Sequence, residues 1–178
     1  MLRGEKVLLR AIERRDIEPF RKWLNDPEVN RYLAVYWPLT EAAEERWFQK
    51  TTESSTELVM AIESLSEDSR DGQLIGNCGF HGINWKDRTA TLGIFIGEKV
   101  LWRGGRGTEA ASLLIDFGFK QLNLRRVNSS VLGPNEGSFK MHEKLGFREE
   151  GRRRQNIFRE GFYHDEVIFG LLREEWKK

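Results

Sequence analysis

The chain has a single cysteine, Cys78, so no disulfide can close within it and a multi-cysteine metal site is excluded. Its three histidines, His81, His142 and His164, are scattered without ligand spacing, and no metal is expected. Charge of one sign is missing too. The 29 Lys and Arg nearly cancel the 28 Asp and Glu, leaving no long-range field to hold a nucleic-acid backbone or an anionic membrane. Neither partner is expected. No apolar run is long enough to span a bilayer, and residues 1–6 lack the apolar stretch of a secretion signal, so the expected location is cytoplasmic. Internal repeats and low-complexity linkers are absent, which leaves one domain over residues 1–178.

What is present is an ordinary globular composition, 39% hydrophobic and 32% charged. Residues 7–12 read as a strand, and Ile17, Phe20 and Leu24 fall on one helical face. Asp26-Pro27 looks like a cap and first turn of a short helix carrying Val29, Tyr32 and Leu33, and Thr40 caps a further helix fading near Ser54. Strands are expected at 58–62 and 74–83, joined by a polar hairpin loop at 64–72, and again at 89–96. Helical spacing then returns from Thr108 to about Leu122. A strand at 126–132 follows, then a helix opened by Pro134-Asn135 and ended by Gly146, and closing strands at 152–158 and 164–172. The basic run Arg148, Arg152, Arg153, Arg154 and Arg159 alternates with Glu149, Glu150 and Glu160 and reads as a solvated strand face. The expected fold is α/β: a mostly antiparallel mixed sheet containing one parallel pair, covered by helices on both faces.

The most informative segment, Trp102-Arg103-Gly104-Gly105-Arg106-Gly107-Thr108-Glu109-Ala110, joins a strand to a helix through glycines. Such a turn lets several main-chain N–H groups converge at a helix N-terminus, a geometry that binds phosphate oxygens. A P-loop would need Lys followed by Ser or Thr after its last glycine, and Gly107-Thr108-Glu109 has no such pair. A dinucleotide fingerprint is nominally present as Gly105-x-Gly107-x-x-Ala110. It should lie in the first strand–helix unit with an acid about 20 residues on, where Arg125 and Arg126 stand instead.

These residues resemble the GNAT superfamily of acetyltransferases. Its signature is Gln or Arg, two residues, Gly, one residue, then Gly or Ala; here Trp102 fills the first place, with Gly105 and Gly107 as the glycine pair. Trp-x-x-Gly-x-Gly-Thr-Glu-Ala is similar to the branch of Rim-type ribosomal-protein N-terminal acetyltransferases and spermidine acetyltransferases. Asn135-Glu136-Gly137-Ser138 followed by Glu143-Lys144-Leu145-Gly146-Phe147 resembles the second signature, and Leu9-Arg10 with Asp16 the opening. The resemblance implies that acetyl-CoA donates the acetyl group, its pyrophosphate held by the amides of Arg103, Gly104, Gly105, Arg106, Gly107 and Thr108. Phe95 and Ile96 would pair with the pantetheine arm, and Asn135 and Ser138 would touch it. A homodimer is implied as well.

Transfer to a primary amine, either a protein N-terminus or a polyamine, requires a proton to leave the amine and another to reach the thiolate. The family places a tyrosine where His142 stands, so His142, as a histidinium, or Ser138 four residues before it on the same helix face is the expected acid. Thr91 stands where relatives carry a glutamate base, with His81 and Glu98 as substitutes. Tyr32, Tyr36 and Trp37, together with His81, are the candidates for binding the amine. Two other readings stay open at this point: a CoA-binding module without catalysis, and a dinucleotide-dependent oxidoreductase.

Overall fold

The computed structural model describes residues 1–66 and 69–177; the side chains of 66 and 69–71 lie outside that description. Eight strands form one sheet in the order β1-β2-β3-β4-β5-β6-β8-β7. They are β1 (Leu2–Arg3), β2 (Val7–Ala11), β3 (Leu58–Ser66), β4 (Ser69–Asn84), β5 (Thr89–Ile96), β6 (Arg126–Leu132), β7 (Arg148–Arg159) and β8 (Phe162–Leu172). Every neighbouring pair is antiparallel except β5 and β6. Those two are joined by the helix α4 (Arg106–Lys120), because a parallel pair needs a long crossover. The remaining helices are α1 (Ile17–Leu24), α2 (Pro27–Asn30), α3 (Glu41–Glu53) and α5 (Glu136–Lys144).

Strand alternation sends side chains to two different layers. Ile62, Ile75, Phe80, Leu92, Val127 and Leu171 meet Leu114, Ile115 and Phe119 of α4 and Met141 of α5 in the main core. On the opposite face Val59 and Ala61 meet Phe20 of α1, with Trp23, Trp47 and Phe95 packed around them. Phe20 stands edge-on to both Trp47 and Phe95, with ring centroids 6.1 and 6.0 Å away. On the polar side of β2, Arg10 holds Asp16 through both terminal nitrogens, at 2.7 and 2.8 Å, and Glu63 through Nε at 2.5 Å. These two carboxylates push the guanidinium pKa upward.

Several boundaries differ from expectation. The hairpin between β3 and β4 has longer strands than composition suggests, and its turn at 67–68 lies outside the described residues. Polar residues there continue the ladder, for example Ser64↔Gln73. The helix opened by Asp26 ends at Asn30, so Tyr32 and Leu33 fall in the loop beyond it. The last two strands are longer than expected and meet as a hairpin at 160–161. β7 is an edge strand whose first nine residues are exposed. Arg152 pairs with Glu149 at 2.7 Å, Arg153 with Glu166 at 3.2 Å and Arg148 with Glu175 at 2.9 Å, in keeping with a solvated face. Cys78 is fully buried, and burial pushes its thiol pKa well up, so it fills core volume and is not a nucleophile.

Candidate active site

The parallel ladder between β5 and β6 is short: Thr89↔Arg126, Ala90↔Val127 and Thr91↔Asn128. Beyond it β5 stays with β4 as far as Gly76↔Ile96, and β6 stays with β8 as far as Leu132↔Glu166. The two strands therefore part company, and residues 92–96 face residues 129–132 across a wedge. Gly97 N donates to Ile75 O at 2.7 Å, and alternation then turns the main-chain polar groups of Leu92, Ile94 and Ile96 toward the wedge. Ile96 O accepts from the Trp102 indole N–H at 2.8 Å. Of the expected pair, Ile96 presents its polar groups to the wedge. Phe95 pairs with Asn77 on β4 and puts its ring against Phe20 on the α1 face.

The glycine turn closes the open end of this wedge. Arg103 and Gly105 both have left-handed backbones, φ 62 and 81, so the chain folds sharply into α4. Gly105 is the N-cap, no side chain caps the end, and the first main-chain bond runs from Glu109 N to Gly105 O at 3.0 Å. The N–H groups of Arg106, Gly107 and Thr108 thus lack an intrahelical partner and carry the positive end of the helix dipole. α4 begins at Arg106, two residues earlier than spacing suggested. Glu109, which could have folded back over these amides, instead accepts from Glu5 N and Lys6 N, both at 2.8 Å. Lys6 Nζ donates to Gly104 O at 3.0 Å and Arg106 Nε to Ser64 Oγ at 2.9 Å. A cavity of about 540 Å3 beside the turn is lined by Arg3, Lys6, Gly104 and Arg106 among others. A β-carbon added at Gly107 would lie 3.6 and 4.0 Å from the side chains of Ile96 and Ile94, so the start of α4 packs closely over the end of β5. Uncapped amides, basic side chains and a strand edge parted from β6 fit a diphosphate followed by an amide-bearing arm.

Asn135 caps α5, its Oδ1 accepting from Ser138 N at 3.1 Å, which leaves its side-chain NH2 as a donor. His142, one turn beyond Ser138, is only 2% exposed. Its Nδ1 lies 2.7 Å from Ser138 O and 3.3 Å from Ser138 Oγ, and its Nε2 lies 2.8 Å from Ser129 Oγ. A carbonyl can only accept, so Nδ1 carries the proton and Nε2 accepts from Ser129. The ring is stacked on Phe169 at 4.9 Å and edge-on to Phe147 at 4.8 Å. Burial lowers its pKa, outweighing the bond to Ser138. The expected histidinium donor at 142 is corrected on that ground: the imidazole is neutral and occupied at both nitrogens.

His81 sits opposite Thr91 in the β4–β5 register. Its Nδ1 lies 2.6 Å from Glu57 Oε2, a partner that periodicity could not reveal because it stands 24 residues away across a strand pair. Ser129 was missed for the same reason. Tyr36 and Trp37 are 60% and 70% exposed. Their loop is clamped to the β7–β8 hairpin: Arg31 pairs with Glu160 at 3.0 Å, Arg159 donates to Leu33 O, and the Arg159 guanidinium lies 4.2 Å from the Tyr36 ring centre. Tyr32, also exposed, has Arg31 5.9 Å from its ring centre. Among the described residues no three His, Cys, Asp or Glu gather as metal ligands. No helix of the described residues is long and apolar enough to cross a membrane.

The topology removes the oxidoreductase reading, since the glycine turn follows the fifth strand of a largely antiparallel sheet and not a first strand–helix unit. Comparison with known proteins agrees. Residues 6–148 match the model of the acetyltransferase (GNAT) domain. The N-acetyltransferase p20 of Bacillus licheniformis, of uncharacterised activity, is 32% identical over 173 residues, covering 97% of this chain and 96% of that one. The spermidine N(1)-acetyltransferase of Escherichia coli K12 is 27% identical over 181 residues, covering 97% and 89%. The crystal structure of the spermidine N-acetyltransferase of Vibrio cholerae in complex with CoA and spermine superposes with a TM-score of 0.86 at 24% identity, over 97% of this chain and 98% of that one. A wedge opened between two parallel strands, closed by an uncapped helix end and matched over most of its length by that domain model, makes this chain a member of the GNAT acetyltransferase family.

Proposed function

We propose that this protein moves an acetyl group from acetyl-CoA to a primary amine in a complex holding both reactants at once. The observation that carries the reading is the β5–β6 wedge running into the free amides of Arg106, Gly107 and Thr108. In this reading those amides and the turn from Arg103 to Gly105 take the diphosphate, and the Ile96 edge takes the pantetheine arm. The donor amide of Asn135 reaches the same arm. Bound acetyl-CoA supplies a thioester carbonyl; the chain supplies position and protons. Holding two reactants in line is worth about 7–11 kcal/mol, against roughly 3–5 kcal/mol for acid–base help, so the wedge matters more than any single side chain. Ser138 is the donor that returns a proton to sulfur, and the neutral His142, anchored by Ser129, holds the helix turn on which Ser138 sits.

For the acceptor, the loop and hairpin tip offer Arg31 and Arg159 against Glu160, and Arg159 already covers Tyr36. This balance favours an acceptor with a single amine, such as a polypeptide N-terminus, over a polycation that would want carboxylates. A polyamine is the second reading, favoured by the spermidine-acetylating relative. Thiol release from acetyl-CoA with N-terminal peptides and spermidine tests both. The expected result is turnover with a higher kcat/KM for a peptide; absence of turnover with every amine would leave only a CoA-binding module.

A further inference from the structure

We infer that His81 is the general base of the transfer and that Glu57 is its positioning residue, an inference that rests on the acetyl-transfer reading above. Glu57 is fixed at both oxygens, Oε2 lying 2.6 Å from His81 Nδ1 and Oε1 accepting from Gly82 N at 3.1 Å. A carboxylate can only accept, so the imidazole proton sits on Nδ1 and the lone pair on Nε2. That nitrogen points along the sheet toward the wedge: a β-carbon built on Gly93 would meet His81 Nε2 at 2.8 Å and Cδ2 at 2.9 Å. Gly93 lies two residues past Thr91, the last β5 residue paired with β6, so the ring overhangs the place where the strands begin to part. Only glycine leaves the imidazole that room.

Other polar groups on this face are less suited. Thr91, opposite His81, has no basic atom, and Asn128 across the ladder is held by Arg126 Nε at 2.6 Å. Arg126 itself is tied to Glu150. The His81 side chain is 45% exposed, so an acceptor and water can both reach Nε2. Nε2 takes a proton from the acceptor ammonium and frees its lone pair for attack; as the nitrogen–carbon bond forms, the carbon–sulfur bond breaks with its electron pair on sulfur, and the second nitrogen proton passes to water. The imidazolium is stabilised by the Glu57 side chain at Nδ1, and its proton then passes to water.

The test uses the whole protein, acetyl-CoA and the fastest acceptor of the amine panel. His81→Ala is expected to lower kcat about 10²-fold or more with the KM for acetyl-CoA unchanged. Added imidazole, which fits the space left over Gly93, should restore part of the rate. Glu57→Gln should lose less, about tenfold, and the deficit of either variant should shrink for a weakly basic amine that is already neutral. His81→Ala turning over at the wild-type rate beside an active wild type overturns the base and leaves acetyl transfer standing. A wild type inactive with every amine removes both. A loss in His81→Ala that imidazole does not relieve and that is equal for all amines also overturns the assignment.

Discussion

The two faces of the sheet bury polar groups on opposite terms. Under α4 and α5, Ser129 and His142 sit in the main core satisfied by each other and by Ser138 O. Under α1 and α3, Glu44 is 4% exposed, its Oε2 has no hydrogen-bond partner among the described residues, and burial raises its pKa, with Arg21 opposing. The first face is a closed core that supports a helix pair. The second is smaller, richer in aromatics and open at His81 and the 31–37 loop, and it carries charge that the chain has not fully compensated. Stability is concentrated on one side so that the other can stay accessible.

The largest effect expected from breaking this division is at the link between β2 and the start of α1. Asp16→Ala strips Arg10, whose side chain is 11% exposed, of its bidentate partner and should cost about 3–5 kcal/mol in urea unfolding. Next, His142→Ala removes a buried ring and leaves Ser129 Oγ unpaired, with an expected loss of about 2–4 kcal/mol. The wild-type stability should also carry a His142 signature in pH. Its folded pKa is depressed, so the unfolded chain binds the proton first; stability is complete above the unfolded value near 6.5 and falls as pH drops below it, about 1.4 kcal/mol per unit of depression. His142→Phe should flatten that slope between pH 7 and 5 in thermal melts.

Gly105→Val would force a β-branched residue to φ 81, costing about 1–2 kcal/mol, and should raise the KM for acetyl-CoA while leaving the acceptor KM alone. Smallest is Glu44→Gln, which sharpens the comparison by its sign. Glu44 has a raised folded pKa, so its stability is present below the unfolded value and lost as pH rises through the folded one. The variant should match wild type near pH 4 and exceed it by about 1 kcal/mol at pH 8, as measured by Tm.

Much of this was legible in sequence because it is local. β6 at 126–132, the Thr40 cap of α3 and the left-handed Gly146 after α5 follow directly from spacing and turn chemistry. The glycine turn was equally clear, since its function depends on main chain. What sequence could not reveal is contact across strands. Glu57, just before β3, meets His81 of β4, and Ser129 meets His142 across a strand–helix contact, neither of which leaves a periodic mark. The setting of His142 is hidden in the same way: spacing places it on the helix, but the rings of Phe147 and Phe169 that bury it and disfavour its charged form lie outside α5.

Hydrogen–deuterium exchange with and without acetyl-CoA tests the central claim most directly. Saturating donor should slow exchange of the amides at 94–96 and 103–108 and leave the exposed β7 amides at 148–155 unchanged. Binding that protects some other segment, with the glycine turn exchanging as fast as before, would contradict the account.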